Sequence, residues 1–177
     1  MKPKFSINDI EHFPHPNAEE LNTKLDSLLT DWANNRPDRR SVSDFPTYFP
    51  EEFSWHSPDN LYELEPFQDL KNFVEEHVSK KLGEPLRIFS MWSIVGRNKS
   101  HGQKHRHLGK HTGVYYVNNG HVNGEEISGQ INYYTVEGTK TFSPKNGEIF
   151  FFPAKMFHDV NPYLGDRHRT VIVFNLK

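Results

Sequence analysis

Residues 102–117 read GQKHRHLGKHTGVYYV, and the rest of the chain is organised around this stretch. Thr112 to Asn118 is a β-branched and aromatic run that reads as a strand, with His105, His107, Lys110 and His111 gathered just before it. One residue separates His105 from His107, so on an extended chain both imidazoles project to the same side. Two neutral imidazoles at a strand edge make half of a transition-metal site. With 11 histidines in the chain, a solvated basic loop is the competing reading at this point.

Downstream and upstream of this stretch the pattern is extended. Arg87 to Val95, Gly129 to Val136, Lys140 to Ser143, Glu148 to Pro153 and Arg169 to Leu176 all read as strands. Asn146-Gly147, between two of them, is a two-residue hairpin signal. Before Leu86 the period is helical. Asn17 with Glu20 three residues on is a capping-box pattern, and Leu21, Leu25, Leu28, Leu29 and Trp32 give the buried stripe of a helix from Ala18 to about Trp32. Glu65-Pro66 opens a second helix with the stripe Phe67, Leu70, Phe73, Val74, Val78 and Leu82, stopped by Gly83. Met1 to Pro16 reads as a short edge strand or arm. Arg36 to Leu64 is broken by prolines yet rich in aromatics, which predicts a loop packed over one end of the core or over a substrate.

Two helices followed by seven or eight strands predict a mainly β fold, a jelly roll with both helices on one sheet. At 177 residues the chain fits one domain, 1–177, with a helical and loop part over 1–85 and the jelly-roll core over 86–177. A net charge of -2 with dispersed basic residues argues against a nucleic-acid partner. No cysteine is present, which removes disulfides, thiolate metal sites and a Cys nucleophile. The N-terminus lacks an apolar signal-like run and no segment is long enough to span a membrane, so a cytoplasmic location with no membrane partner is expected. A homodimer is left open.

The second half supplies more site chemistry. His158 follows the apolar strand FFFP after a short connection, and in a jelly roll it can converge with His105 and His107 on one ion at the barrel mouth. In the last strand, alternation puts Arg169, Val171, Val173 and Asn175 on one face and Thr170, Ile172, Phe174 and Leu176 on the other. If the first face lines the barrel, Arg169 is a guanidinium inside an apolar cavity, suited to a bound dicarboxylate. The competing reading pairs Arg169 with Glu148, Asp159 or Asp166.

The ordered set Trp92, His105-Arg106-His107, Thr112-Gly113-Val114-Tyr115-Tyr116, Pro144 to Gly147, Phe152-Pro153, His158, Arg169 and Phe174-Asn175 resembles the short bacterial and phage branch of the Fe(II)/2-oxoglutarate-dependent oxygenases. The stretch WHSPDNL, Trp55 to Leu61, extends the likeness to roughly Phe53 through the C-terminus. The resemblance implies a double-stranded β-helix holding Fe(II), with His105 and His158 as histidine ligands and Arg169 on the distal carboxylate of 2-oxoglutarate. It also implies O2-dependent hydroxylation coupled to decarboxylation of that cosubstrate.

Two departures stand out. The common His-x-Asp or His-x-Glu motif reads His-x-His here, so His107 either completes a three-histidine site or sits behind the ligands. The hydroxyl often found two residues after the arginine is replaced by Val171, leaving Tyr115 or Tyr133 as candidate donors to the cosubstrate. The alternatives to an oxygenase are a cupin-like three-histidine enzyme that does not use 2-oxoglutarate and a non-catalytic jelly-roll binding domain. The expected substrate is a small polar molecule, approached past Phe45 to Tyr62, Asn118 to Glu126 and Arg97.

Overall fold

The computed structural model describes residues 3–35, 54–121 and 128–177. Helix α1 (Ala18–Asn35) buries Leu21, Leu25, Leu29 and Ala33, one residue per turn, and runs three residues past Trp32. A 3-10 turn at Glu65–Phe67 leads into helix α2 (Gln68–Leu82). Gly83 ends it at φ 69°, its N–H bonding the Ser79 carbonyl at 3.0 Å, the left-handed stop expected of a glycine there. The expected stripe of α2 needs one correction. Leu82, the last residue of the helix, is 40% exposed. Glu75 is buried in the same helix, and its carboxylate accepts the Ile88 N–H at 2.8 Å.

Among the described residues there are ten strands. They are β1 (Glu11–Pro14), β2 (Ser54–His56), β3 (Ile88–Gly96), β4 (Gly102–His105), β5 (His111–Asn118), β6 (Ile131–Thr135), β7 (Gly138–Phe142), β8 (Glu148–Pro153), β9 (His158–Val160) and β10 (Arg169–Leu176). All their pairings are antiparallel, in two sheets ordered β1-β8-β5-β10-β3-β2 and β4-β9-β6-β7. The fold is the expected mainly β double-stranded β-helix, with both helices on the outer face of the larger sheet.

Strand alternation divides the apolar residues into two cores. On the outer face Ile172, Phe174 and Leu176 of β10 meet Leu25 and Leu29 of α1 and Leu70, Val74 and Val78 of α2. On the inner face Val171 and Val173 join Val114, Ile94, Phe150 and Phe152 between the sheets. At roughly 1.5–3 kcal/mol for each fully buried aliphatic or aromatic side chain, both layers are needed to offset chain entropy.

Asn146-Gly147 is not a hairpin turn. Strand β7 lies at the edge of the small sheet and β8 in the large one, so this segment crosses between sheets. Gly147 sits at φ 83° with its N–H on the Tyr116 carbonyl at 2.7 Å, and a Cβ there would stand 2.4 Å from the Ala18 Cβ. The two-residue hairpin joins β6 to β7 instead, through Val136 and Glu137. The sequence reading also passed over β2, β4 and β9, each three or four residues long and too short to show a period.

Candidate metal centre

Strand β4 ends at His105, β9 begins at His158, and the two residues are paired across the small sheet. His107 follows β4, its backbone N–H held by the Ala154 carbonyl at 2.8 Å and its ring stacked on Trp92 at 5.7 Å between centroids. One ring nitrogen from each histidine lies within 4.8 Å of the others. The His107 and His158 Nε2 atoms are 3.3 Å apart. Behind them, His105 Nδ1 faces the Gln103 carbonyl at 2.6 Å and His158 Nδ1 faces the Met156 carbonyl at 3.2 Å. Those contacts place the proton on Nδ1 and leave Nε2 as a lone-pair donor.

Burial keeps the three rings neutral. It lowers the pKa of His105, pushes His107 down to about 3 with help from His105, and holds His158 well below its usual value. The Asn175 carboxamide sits close enough to the His107 ring to raise its pKa against burial, but the contact is not a well-formed hydrogen bond and its buried Oδ1 has no other partner.

The cluster opens into a cavity of about 490 Å³ floored by the inner faces of β3, β5 and β10. Arg169, Val171, Val173 and Asn175 all line it, as alternation required. Arg169 is 7% exposed, its guanidinium 5.7 Å from the centre of the Tyr116 ring. Among the described residues no carboxylate forms an ion pair with it, so Glu148, Asp159 and Asp166 are not its partners. Asp159 turns to the opposite face of β9, where the Tyr134 hydroxyl and the Asn132 amide donate to it. Gly129 leaves room for the arginine: a Cβ there would lie 2.8 Å from a guanidinium nitrogen. Burial lowers the Arg169 pKa and raises that of Tyr116 to about 12, so the pair is a cation beside a neutral hydroxyl donor.

A family model for 2OG-Fe(II) oxygenases matches residues 90–175, the strands that build this cavity. This half of the chain is similar to the 2OG-Fe(II) oxygenases. Solved structures agree on the fold. A Pseudomonas putida prolyl-4-hydroxylase aligns with TM-score 0.66 at 13% identity, covering 94% of this chain and 92% of its own. A Trichoplax adhaerens prolyl hydroxylase in complex with a hypoxia inducible factor peptide fragment aligns at 0.70 and 12%, covering 96% and 84%. HygX from Streptomyces hygroscopicus with nickel, 2-oxoglutarate and hygromycin B aligns at 0.67 and 12%, covering 95% and 82%. No curated protein sequence matches significantly.

The cofactors of a 2OG-Fe(II) oxygenase are Fe(II), 2-oxoglutarate and O2, and the donor set fits the metal. Two nitrogens bound at about 2.1 Å to one ion at a right angle stand about 3 Å apart, close to the 3.3 Å between His107 and His158. Neutral imidazoles suit iron, and the buried Arg169, with no carboxylate partner among the described residues, suits a carboxylate in the same cavity.

Of the other sequence candidates, Tyr133 is fully buried on β6 opposite His158, with its hydroxyl lacking a partner. Tyr115 does not reach the cavity. It lies on the outer face of β5 and donates to Asn22 of α1 at 2.5 Å, while its neighbour Tyr116 meets Arg169. The signal that finds Tyr116 is register: β10 pairs Val171 with Tyr116 and Val173 with Val114, and directly paired residues share a face. His111 stacks on Phe151 of the outer face, His101 faces the Lys99 carbonyl, and His56 lines the cavity. Arg97 is exposed, and the expected walls over 45–53 and 122–126 lie outside the described residues. No helix among the described residues is long and apolar enough to cross a membrane.

Proposed function

We propose that this protein hydroxylates a C–H bond of a small polar substrate while 2-oxoglutarate is decarboxylated. One oxygen atom of O2 goes to the substrate and the other to the succinate formed with CO2. The observation that carries the reading is a single cavity holding three converging neutral imidazoles and a buried guanidinium with no ion-pair partner among the described residues. His105, His107 and His158 hold Fe(II), which when bound supplies the oxidising chemistry of the site.

The chain's own groups bind and orient. Arg169 takes the distal carboxylate of 2-oxoglutarate through its fork of donors, and the Tyr116 hydroxyl adds a further one. Tyr133 does not line the cavity, and its buried, unpartnered hydroxyl stands behind it near Tyr116. Val114, Val171, Val173 and Ile94 keep the space around the cosubstrate dry, which strengthens the bonds from Arg169 and Tyr116. His107 takes the place usual for a carboxylate. Support comes from Asn175, whose free Oδ1 stands ready to accept the second ring N–H of a metal-bound His107. We treat residues 1–177 as one domain, because Asn22 and Asp26 of α1 bond directly to β5 and β10.

The test is succinate release under air. It requires both Fe(II) and 2-oxoglutarate on this reading, and its absence in protein that binds the metal favours the cupin-like alternative.

A further inference from the structure

Among the described residues, the fixed charges around the cavity do not balance. Among the described lining residues Arg106, Lys155 and Arg169 are cationic and Asp59 alone is anionic. The metal cluster contributes no negative charge, since its members are three neutral histidines and no Asp or Glu among the described residues joins them. Resting on the function proposed above, the interior then holds Fe(II), Arg169 and 2-oxoglutarate, and keeps one positive charge uncompensated. At the mouth Arg106 and Lys155 outweigh Asp59 by one more. A carboxylate ligand would have removed the interior excess. Uncompensated charge between low-dielectric walls is costly, and an anion entering there is drawn in.

The excess has a place. Strands β3 and β10 run antiparallel along the floor, with Arg169 opposite Gly96 at one end and Asn175 opposite Ser90 at the other. Six residues of strand put those ends about 20 Å apart. Arg169 is committed to the cosubstrate at the inner end. At the outer end the Lys155 ammonium donates to the His107 carbonyl at 3.2 Å, which fixes it over the loop that carries the metal-site histidines. Phe89, Trp92 and Leu108 line the same end, so the charge stands beside an apolar and aromatic wall. About 490 Å³ is the scale of a metabolite site, and 2-oxoglutarate occupies part of it.

We infer that the substrate is a small organic anion, a carboxylate with an apolar or aromatic body, whose charged end is held by Lys155 with Arg106 beside it. The body then lies along Phe89 and Trp92 and faces the metal site.

The test uses the full chain loaded with Mn(II) and 2-oxoglutarate under argon, where binding is measured without turnover. Hydrocinnamate and its neutral primary amide are titrated by calorimetry and by tryptophan fluorescence. The acid is expected to bind at least about fivefold more tightly, in line with a partly exposed ion pair, and added salt is expected to narrow the gap. Lys155→Met is expected to remove most of the preference without changing metal or 2-oxoglutarate affinity, and Arg106→Gln to remove part of it. Equal affinity for acid and amide, no binding of either, or a preference that survives both substitutions overturns the inference. Failure of the underlying function is seen earlier and separately, as loss of stoichiometric metal or 2-oxoglutarate uptake before any probe is added, and it overturns the inference as well.

Discussion

The Thr170 hydroxyl donates to Asp26 at 2.6 Å, and this bond ties helix α1 to the residue next to Arg169. The same carboxylate faces His168 Nε2 at 3.0 Å and accepts from Asn118 Nδ2 at 2.9 Å. Residues 168 and 170 therefore reach outward to the helix, while Arg169 between them points into the cavity. Asn118 is paired with Thr170 and lies two residues beyond Tyr116, so Asp26 braces from behind both strands that form the proposed carboxylate clamp. Replacing Asp26 by Leu strands three donors. We expect a stability loss of about 2 kcal/mol and a 2-oxoglutarate affinity reduced by about fivefold, with metal affinity unchanged. Chemical denaturation and calorimetry on the one variant check all three.

His168 gives that brace a pH dependence. Its pKa is raised above the usual 6.5, first by the hydrogen bond to Asp26, against burial, and then by the carboxylate charge. Thr30, whose hydroxyl lies 3.2 Å from the same nitrogen, and Thr170 add no charge. The folded state holds the proton more tightly than the unfolded one. The contribution is therefore complete below the unfolded pKa and is lost as pH rises through the folded value. This contribution should accordingly decline over the range just above 6.5, on top of the opposite trend set by the buried histidines whose pKa values are lowered. His168→Gln should flatten that decline. Equal pH slopes for the two proteins in urea melts would refute the assignment.

Much of this arrangement was legible in the sequence, and the reasons are specific. The heptapeptide-scale alternation of Arg169 to Leu176 places every side chain on its observed face, because a strand buried on both sides leaves no freedom in period. His105, His107 and His158 were identifiable as a set, although the pairing of β4 with β9 that joins them was not, since neither strand is long enough to show alternation. Tyr115 and Tyr116 are chemically alike in a continuous buried run, so only the register with β10 distinguishes the one that faces the cavity. Asp26 carried no signal at all. It occupies a helical position with an unremarkable sequence, and its partners are more than 90 residues away.

Arg169→Met should move stability and binding in opposite directions. Among the described residues no carboxylate meets the buried guanidinium, a state that costs several kcal/mol of desolvation. An apolar side chain of similar length removes that cost, so the apo variant should melt at or above the wild-type temperature. Its 2-oxoglutarate affinity should fall by about 2–5 kcal/mol, the loss expected when one partner of a buried charged pair is truncated. Thermal melts with and without 2-oxoglutarate read both effects. A ligand-induced rise retained in the variant would remove Arg169 from the clamp.

The two tyrosines of β5 should separate by face. Tyr116→Phe removes a hydroxyl beside the guanidinium and should weaken 2-oxoglutarate by roughly 1 kcal/mol. Tyr115→Phe breaks the bond to Asn22 and should cost roughly 1 kcal/mol of stability with cosubstrate affinity unchanged. The reverse pattern in calorimetry would mean that the strand register around Arg169 differs in solution.

His107 and Asn175 decide the nature of the metal site. If His107 is the third ligand, His107→Ala removes one of three donors, and stoichiometric metal binding is lost along with that of His158→Ala. If it only stands behind the metal, binding survives with altered turnover. Asn175→Leu sharpens the distinction because it leaves all three imidazoles in place. It deletes the one unpartnered carbonyl oxygen beside the His107 ring and nothing that bonds to His105 or His158. For a ligating His107 the loss of that acceptor should lower metal affinity by about tenfold to a hundredfold, the usual effect of removing a group that orients a metal-bound imidazole. A Co(II) spectrum of the variant should also change, since the His107 ring is no longer fixed from behind. Unchanged affinity and an unchanged spectrum together would place His107 outside the coordination sphere, even with its Nε2 only 3.3 Å from that of His158.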